Sequence, residues 1–244
     1  ATRFVLMNTE SFQPGDFEPA ALADRWIWSR MQATVRDVTG HLEGYRFADL
    51  TRAVYDFVWR DYCDWYLELA KVRLQGDNPQ ARLVIQRNMV AVLDTALRLL
   101  HPIMPFITET LWQVLTGGDK GESLMVAAWP ESTSDQRDAE SESQMQRMQE
   151  VVTAVRVLRG EMNVPPAKRI ELLVSAAGAD TAAGLGELEA YIALLCRADS
   201  VTIGTELEQP AASASAVTGD IEIFVPLEGL IDFCLLYTSD AADE

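Results

Sequence analysis

Two prolines lie within an otherwise apolar, helix-like stretch of this chain, LLHPIMPFITETLW at 99–112. A proline inside a helix removes a backbone donor and clashes with the preceding turn, at a cost of about 3 kcal/mol. Because the residue before a proline avoids the helical region, Met104 is expected to be extended. Pro102 then ends one helix near His101, and Pro105 begins the next. The stretch therefore predicts a buried corner between two core helices.

Other segments have apolar residues at helical spacing. Over 22–42, apolar side chains recur every three or four positions. Over 46–75, one face is apolar and the opposite face is charged, with spacings that allow ion pairs along the helix. The expected core residues of 46–75 are Phe47, Leu50, Val54, Val58, Tyr62, Trp65, Leu69 and Val72. GDNP at 76–79 predicts a turn, followed by a third helix from about Pro79 to Leu100.

A fourth apolar stripe follows Pro105. Its members are Phe106, Ile107, Leu111, Trp112 and Leu115. Four such antiparallel helices predict a bundle, which we place in residues 1–118. The segment 123–130 is expected to be a short strand or an extended strap.

The remainder, 119–232, is predicted to be a linker and a small α+β subdomain. A helix is expected over about 138–162, followed by a strand at KRIELLVSA and a helix at GLGELEAYIALLCR. Strands are also expected at DSVTIG and DIEIFVPL, joined by a loop at EQPAASASAVTG. The fold class is therefore mainly α, an antiparallel helical bundle followed by a small α+β subdomain.

The net charge of −17 is distributed unevenly. Residues 1–130 hold 13 Lys and Arg against 16 Asp and Glu, whereas residues 131–244 hold 7 against 21. A polyanion is therefore expected to approach the first half. The three cysteines are far apart and form no metal-binding pattern, which favours a reducing cytoplasm and no structural metal. No apolar run reaches the roughly 20 residues that a membrane-spanning helix needs.

Candidate catalytic groups each have a structural interpretation. Asp61 and Asp64 lack the histidine pattern of a carboxylate-bridged metal centre, so structural ion pairs are expected. His101 is expected to satisfy carbonyls at the end of its helix, and His41 has a similar position. Trp59, Tyr62, Trp65 and Tyr66 have the residue types that stack on bases, but their spacing favours a core position. The residues thus indicate a surface for contact, with no catalytic site.

Five blocks occur in an order that resembles the valyl-tRNA synthetase family, a class I aminoacyl-tRNA synthetase family. They are RFVLMN (3–8), LADRWIWSRM (22–31), RFADLTRAVYDFVWRDYCDWYLELAK (46–71), LLHPIMPFITETLW (99–112) and VRVLRGEMNVPP (155–166). The resemblance covers about residues 1–232 and implies the C-terminal part of such an enzyme, with a bundle of the anticodon-binding type. In this family, valine is attached to tRNA(Val) using ATP and Mg²⁺.

The HIGH and KMSKS strings of the catalytic domain do not occur in this sequence. The resemblance therefore implies that the chemistry belongs to a catalytic domain elsewhere in the parent chain, and that this stretch binds no cofactor itself. The implied partners are tRNA(Val) and that catalytic domain, in a monomeric cytoplasmic enzyme with no membrane contact.

Single-stranded RNA loops are bound by stacking their bases on aromatic or guanidinium planes and by hydrogen-bonding the base edges. The stretch RFVLMNTESFQPG, expected to be poorly helical, offers Arg3, Asn8 and Phe12. The resemblance implies that Phe12 stacks on an anticodon base. Secondary candidates for phosphate contact are Arg46, Arg52, Arg82 and Arg87.

The terminal residues 233–244 are interpreted as a non-native tail, because CLLYTSDAADE back-translates to a common sequencing adapter. Two alternatives remain open at this stage. One is a fragment of an isoleucyl-tRNA synthetase, although the cysteine-rich zinc module frequent in that family does not occur here. The other is a free-standing helical module that binds another protein.

Overall fold

A computed structural model of the chain describes residues 1–9, 16–117, 123–132 and 138–227. The chain divides into two units, one of residues 1–142 and one from Ser143 onward. The predicted tail at 233–244 lies outside the described residues. None of the helices within the described ranges has the length and apolar character needed to cross a membrane.

The first unit is a helical bundle. Its helices are α1 (Thr2–Asn8), α2 (Leu22–Glu43), α3 (Phe47–Asp56), α4 (Leu67–Gln75), α5 (Pro79–Leu100) and α6 (Pro105–Leu115). The side chain of Asn78 accepts hydrogen bonds from the backbone N–H groups of Gln80 and Ala81, so α5 begins at Pro79 as predicted. Part of the core is a cluster that joins α2, α3 and α5, formed by Val35, Val38, Leu50, Val54 and Leu99.

A π-helical segment, Phe57–Tyr66, joins α3 to α4 without interruption. A π-helix holds more residues per turn than an α-helix, so it shifts the face that later residues present. The buried residues of the whole run are Leu50, Val54, Phe57, Tyr62, Tyr66, Leu67, Leu69, Ala70 and Leu74. The predicted core omitted Phe57, which is buried, and it was also wrong at Phe47, the first residue of α3, which is 57% exposed.

The proline corner exists, but it is not buried as predicted. Helix α5 ends at Leu100 and α6 begins at Pro105, and the side chains of Pro102, Ile103 and Met104 between them are exposed. Phe106 is 89% exposed and Ile107 is 48% exposed, so the predicted apolar stripe of α6 was wrong at both positions. Helix α6 instead buries Thr108 and Trp112.

The segment after α6 forms a strap and not a strand. One 3₁₀ turn, Leu124–Val126, precedes extended residues that belong to no ladder. The Trp129 indole Nε1 donates to Thr39 Oγ1 at 2.8 Å, and an Arg98 guanidinium nitrogen donates to the Ala128 carbonyl at 2.9 Å. These two bonds attach the strap to α2 and α5.

The boundary between the units falls within α7 (Ala139–Glu161). Beyond it, the second unit contains α8 and α9 and a four-stranded sheet. These elements are β1 (Ile170–Ala176), α8 (Ala179–Gly186), α9 (Glu189–Cys196), β2 (Ala198–Thr205), β3 (Ser213–Thr218) and β4 (Ile221–Pro226). The strand order is β2-β1-β4-β3, with β1 parallel to β2 and antiparallel to β4.

Two expectations for this unit were wrong in detail. The predicted loop at 208–219 contains β3, which pairs with β4 through a tight turn at Gly219 and Asp220. The predicted single helix at 184–197 is divided between α8 and α9, because glycines with low helix propensity lie in the last turn of α8. The mainly α bundle followed by a small α+β unit is nonetheless confirmed.

Candidate nucleic-acid interface

The first predicted RNA contacts lie on a helix, whereas an irregular stretch had been expected. Arg3 and Asn8 both belong to α1, and Arg3 is exposed. The Asn8 side chain donates to the Phe4 carbonyl at 2.8 Å, and the Asn8 carbonyl accepts from Gln86 Nε2 at 2.6 Å. Phe12, the predicted stacking residue, lies outside the described residues.

A shallow groove of about 580 Å³, which we call the α5 groove, lies where α4 meets α5. Its lining residues are Gly76, Asp77, Pro79, Gln80, Arg82, Leu83 and Gln86. Arg82 is exposed, and Gln86 ties the end of α1 to the groove through the Asn8 carbonyl. The structure thus brings Asn8 and Arg82, two of the predicted contacts, to one region at the start of α5.

Buried polar contacts hold the elements around the α5 groove. The carboxylate of Asp24 is fully buried and accepts from the Tyr66 hydroxyl at 2.7 Å, from the Ala21 N–H at 3.1 Å and from the Arg73 guanidinium. Burial, reinforced by the charge of Asp24, raises the pKa of Tyr66 well above its usual value. The phenol therefore remains a hydrogen-bond donor, and α4, which leads into the groove, is fixed to the start of α2.

The chain between α2 and α5 carries the other predicted arginines. Arg46 is the N-cap residue of α3, Arg52 lies within α3, and both are exposed. Tyr55 and Trp59 follow Arg52 at helical spacing, are 58% and 56% exposed, and have ring planes 5° apart with centroids at 6.2 Å. We call Arg52, Tyr55 and Trp59 the α3 strip.

The predicted contacts therefore occupy two surfaces of the first unit. Arg46 precedes the continuous run Phe47–Gln75, and the α5 groove follows it. Helical residues advance about 1.5 Å each, so this run separates Arg46 from the groove by roughly 40 Å along the helix. Arg87 is half-buried and already has an interaction partner. Of these two predicted phosphate contacts in α5, the exposed Arg82 is therefore the better placed to reach a phosphate group.

Of the candidate catalytic acidic pair, Asp61 forms the structural ion pair that was predicted. Asp61 accepts from Arg30 Nε at 2.9 Å. Burial raises the pKa of Asp61, and attraction to Arg30 opposes that shift. Asp64 is exposed.

His101 differs from its prediction. Its Nδ1 lies 2.8 Å from Thr108 Oγ1, and it makes no contact there with a late carbonyl of α5. The Thr108 hydroxyl also lies within hydrogen-bond distance of the Met104 carbonyl, at 2.8 Å. The histidine therefore closes the proline corner.

The aromatic residues were assigned correctly in part. Tyr62 and Tyr66 are fully buried, as the core interpretation predicted, and the Tyr62 hydroxyl donates to the Met89 carbonyl at 2.8 Å. Trp59 is exposed, and its partner Tyr55 was not singled out from the sequence. The sequence did contain a signal for this pair, because Tyr55 and Trp59 are aromatic residues four positions apart and both lie outside the predicted apolar face.

Gln86 was also missed among the groove residues. It appears in the sequence as one polar residue of an amphipathic helix, and its contact is with a backbone atom 78 residues away. Such a contact has no periodic signature.

Comparison with known proteins places this geometry in context. The family model for the anticodon-binding domain of tRNA ligase matches residues 24–174. Relatives described as valine–tRNA ligase include those of Geobacter sulfurreducens and Syntrophotalea carbinolica, both 40% identical over 236 residues, and that of Bacillus cereus, 37% identical over 235 residues. These alignments cover 95% of this chain and 26–27% of each relative, so the chain spans about a quarter of their length. This chain belongs to the family of anticodon-binding domains of tRNA ligases.

Proposed function

We propose that this chain is the anticodon-binding region of a valine–tRNA ligase and that its RNA partner is tRNA(Val). The observation that carries the proposal is the family match over residues 24–174, joined to relatives described as valine–tRNA ligases along 95% of the chain. In the proposed parent, a catalytic domain elsewhere in a monomeric polypeptide attaches valine to the tRNA with ATP and Mg²⁺. The role of the present residues is to hold the anticodon loop.

The α5 groove is the surface we assign to the loop. Arg82 supplies a positive charge for a phosphate group. The Gln86 side chain, which lines the groove, donates to the Asn8 carbonyl and so holds Asn8 beside the groove. The segment between Asn8 and Asp16 contains Phe12, which we propose stacks on an anticodon base. Stacking of one base on an aromatic ring contributes about 1–3 kcal/mol, so Phe12 and Arg82 together would anchor the loop.

Binding of an anticodon stem-loop RNA tests this proposal directly. Fluorescence anisotropy with the whole chain compares a hairpin carrying a valine anticodon with the same hairpin carrying an isoleucine anticodon. Arg82→Gln is expected to weaken binding several-fold and to lower the slope of log affinity against log salt by about 0.7–0.9, the contribution of one phosphate contact. The matched control is Arg36→Gln, since Arg36 is an exposed arginine of α2 that does not line the groove.

Phe12→Ala tests the stacking assignment in the same assay. A loss of about 1–3 kcal/mol is expected from one base–aromatic stack. An unchanged affinity would remove Phe12 from the site. Preference for the isoleucine anticodon would favour an isoleucine–tRNA ligase, and equal binding of unrelated RNA would favour a helical module for protein contact.

A further inference from the structure

One face of α6 is exposed, uncharged and largely apolar. It consists of Phe106, Ile107, Thr110 and Val114, which are all exposed. With about 3.6 residues per turn, these four side chains fall within an arc of roughly 100° around the helix. We call them the α6 face. Single exposed apolar residues are ordinary on a protein surface, whereas a contiguous apolar patch marks an interaction site.

The one charged residue of α6, Glu109, is bound to its neighbours. Its carboxylate accepts from Gln113 Nε2 at 2.8 Å, from Ser123 Oγ at 2.9 Å and from the Leu124 backbone N–H at 2.9 Å. Two of these three donors belong to the strap. The carboxylate therefore fixes the strap beside α6, and it adds no charge to the α6 face.

The sequence around the α6 face has very little positive charge. Between Arg98 and Arg137 it contains one Lys or Arg residue, Lys120. The 3₁₀ turn of the strap contacts α6 and adds two exposed apolar residues, Met125 and Val126. RNA presents phosphates, which proteins neutralise with Lys and Arg. The α6 face is therefore suited to an apolar protein surface and not to RNA.

We propose that the α6 face packs against the part of the parent polypeptide that precedes this chain and contains the catalytic domain. This inference rests on the proposed function. The chain resembles the C-terminal part of such a ligase and spans about a quarter of the length of its relatives, so a large preceding part belongs to the parent. Helix α1 contacts both α5 and α6, so a domain joined before Thr2 would begin beside the α6 face.

Covalent attachment makes a small apolar face sufficient for this contact. Two parts joined by a short linker meet at an effective concentration of about millimolar, so docking needs little intrinsic affinity. Interfaces between domains of one chain bury roughly 600–1,500 Å² and are more polar than obligate interfaces. An arc of one helix with the adjoining 3₁₀ turn is consistent with the apolar centre of such an interface.

Thiol labelling at two matched threonines tests this proposal. Thr110 in α6 and Thr51 in α3 are both exposed, and each hydroxyl donates to the carbonyl four residues earlier, at 3.0 Å and 2.8 Å. Thr110→Cys and Thr51→Cys are compared in the whole chain and in chimeras. In the chimeras, this chain replaces the aligned region of the Geobacter sulfurreducens or the Bacillus cereus ligase. Mass spectrometry locates the label, since the chain has 3 cysteines of its own.

The α6 face is expected to be open in the whole chain and covered in the chimeras. Both cysteines should react at similar rates in the whole chain, whereas Thr110→Cys should react roughly tenfold more slowly in the chimeras and Thr51→Cys should not. Phe106→Glu should leave the melting temperature of the whole chain unchanged, because Phe106 is 89% exposed. In the chimeras it should restore the labelling of Thr110→Cys, because burying an unpaired charge is costly. Circular dichroism confirms that each protein is folded.

Attachment of valine to tRNA(Val) by the chimeras separates this inference from the proposed function. Chimeras that attach valine but label Thr110→Cys as fast as the whole chain would overturn the docking and leave the proposed function standing. Chimeras that protect Thr110→Cys without attaching valine would support the docking and count against the proposed function. Equal protection of Thr51→Cys would overturn the docking.

Labelling of the whole chain distinguishes the other possible occupants of the α6 face. Protection of Thr110→Cys that increases with protein concentration would indicate a second copy of the chain. Protection that appears when tRNA is added would indicate RNA. Either result would overturn the proposal.

Discussion

The two buried tyrosine hydroxyls of the π-helical segment allow a matched test of the network that fixes α4 beside the α5 groove. Tyr62 and Tyr66 are both fully buried, and Tyr→Phe removes one oxygen from each. The Tyr66 hydroxyl donates to the Asp24 carboxylate at 2.7 Å, whereas the Tyr62 hydroxyl donates to the Met89 carbonyl at 2.8 Å. The two variants therefore differ mainly in the charge of the acceptor.

The acceptor determines the expected loss in the free energy of unfolding. Tyr66→Phe leaves a fully buried carboxylate with one donor fewer, and a hydrogen bond to a charged group contributes about 1.5–3 kcal/mol. Tyr62→Phe affects a carbonyl inside α5 that also accepts from its own helix, and a neutral hydrogen bond contributes about 0.5–1.5 kcal/mol. We expect losses of about 2 kcal/mol for Tyr66→Phe and about 1 kcal/mol for Tyr62→Phe.

Urea unfolding followed by tryptophan fluorescence measures these losses in the first unit, which contains both tyrosines. All 6 tryptophans of the chain lie within residues 1–142, so their emission reports on the first unit. A double-mutant cycle of Tyr66→Phe with Asp24→Asn is expected to give a coupling energy of about 1 kcal/mol or more. Equal losses, a larger loss for Tyr62→Phe, or zero coupling would refute the reasoning.

Three further predictions concern the corner, the buried ion pair and a buried thiol. Thr108→Val is expected to lower the thermal stability of the first unit by about 1–3 kcal/mol, because it removes the partner of His101 Nδ1; an unchanged melting temperature would contradict this. Because burial raises the pKa of Asp61 above 3.8, the folded chain keeps that proton to higher pH, and stability from Asp61 falls as pH rises through the folded-state pKa. Asp61→Asn, which also loses the charge paired with Arg30, should therefore gain stability relative to wild type as the pH rises above 3.8, and unfolding curves showing the opposite trend would argue against a raised pKa. Burial raises the pKa of Cys196 to about 12, so a thiol reagent at about pH 8 should modify it only on unfolding; rapid labelling of Cys196 itself in the native chain, located by mass spectrometry, would show that the thiol is accessible.

Helix ends were the most predictable part of this fold, because local chemistry determines them. Asn78 and Pro79 cap and begin α5, and Pro105 begins α6, as their sequence positions indicated. Burial of the corner was not predictable in the same way. Whether Phe106 meets another element depends on the direction in which α6 leaves α5, which no local pattern determines.

The π-helical segment explains why the predicted core of the run Phe47–Gln75 omitted Phe57, which is buried. A prediction at 100° per residue keeps one register along the whole run, whereas the segment shifts it after Asp56. Phe57 and Tyr62, five positions apart, are both fully buried, a spacing that an α-helical pattern does not select. Tertiary contacts such as the bond from Tyr62 to Met89 stabilise this register.

Strand β3 was missed because its sequence, SASAVT, carries little apolar character. It pairs with β4 alone, and its outward-facing Val217 is 72% exposed, so it needs few large side chains. The signal that remained was the pair Gly219–Asp220 between two alternating segments, a typical two-residue hairpin turn. The positive φ of 55° at Gly219 accounts for glycine at that place.

Sequence reasoning found individual contacts of the candidate site but not their grouping. Arg82 and Asn8 were selected by residue type, and the structure places both beside the α5 groove. The residue that unites them, Gln86, binds a backbone oxygen and offers no charge or periodicity to recognise. Arg46 was selected by the same reasoning and lies on a different surface, because residue type alone does not report which end of a long helix faces a ligand.

Crosslinking of an anticodon stem-loop with 4-thiouridine in its loop tests the central claim most directly. Photocrosslinked peptides of the whole chain, identified by mass spectrometry, are expected to contain residues 76–86 of the α5 groove. Arg82→Gln should lower the yield of these peptides, and Arg36→Gln should not. Crosslinks confined to the α3 strip or to the second unit would contradict the assignment of the anticodon loop to the α5 groove.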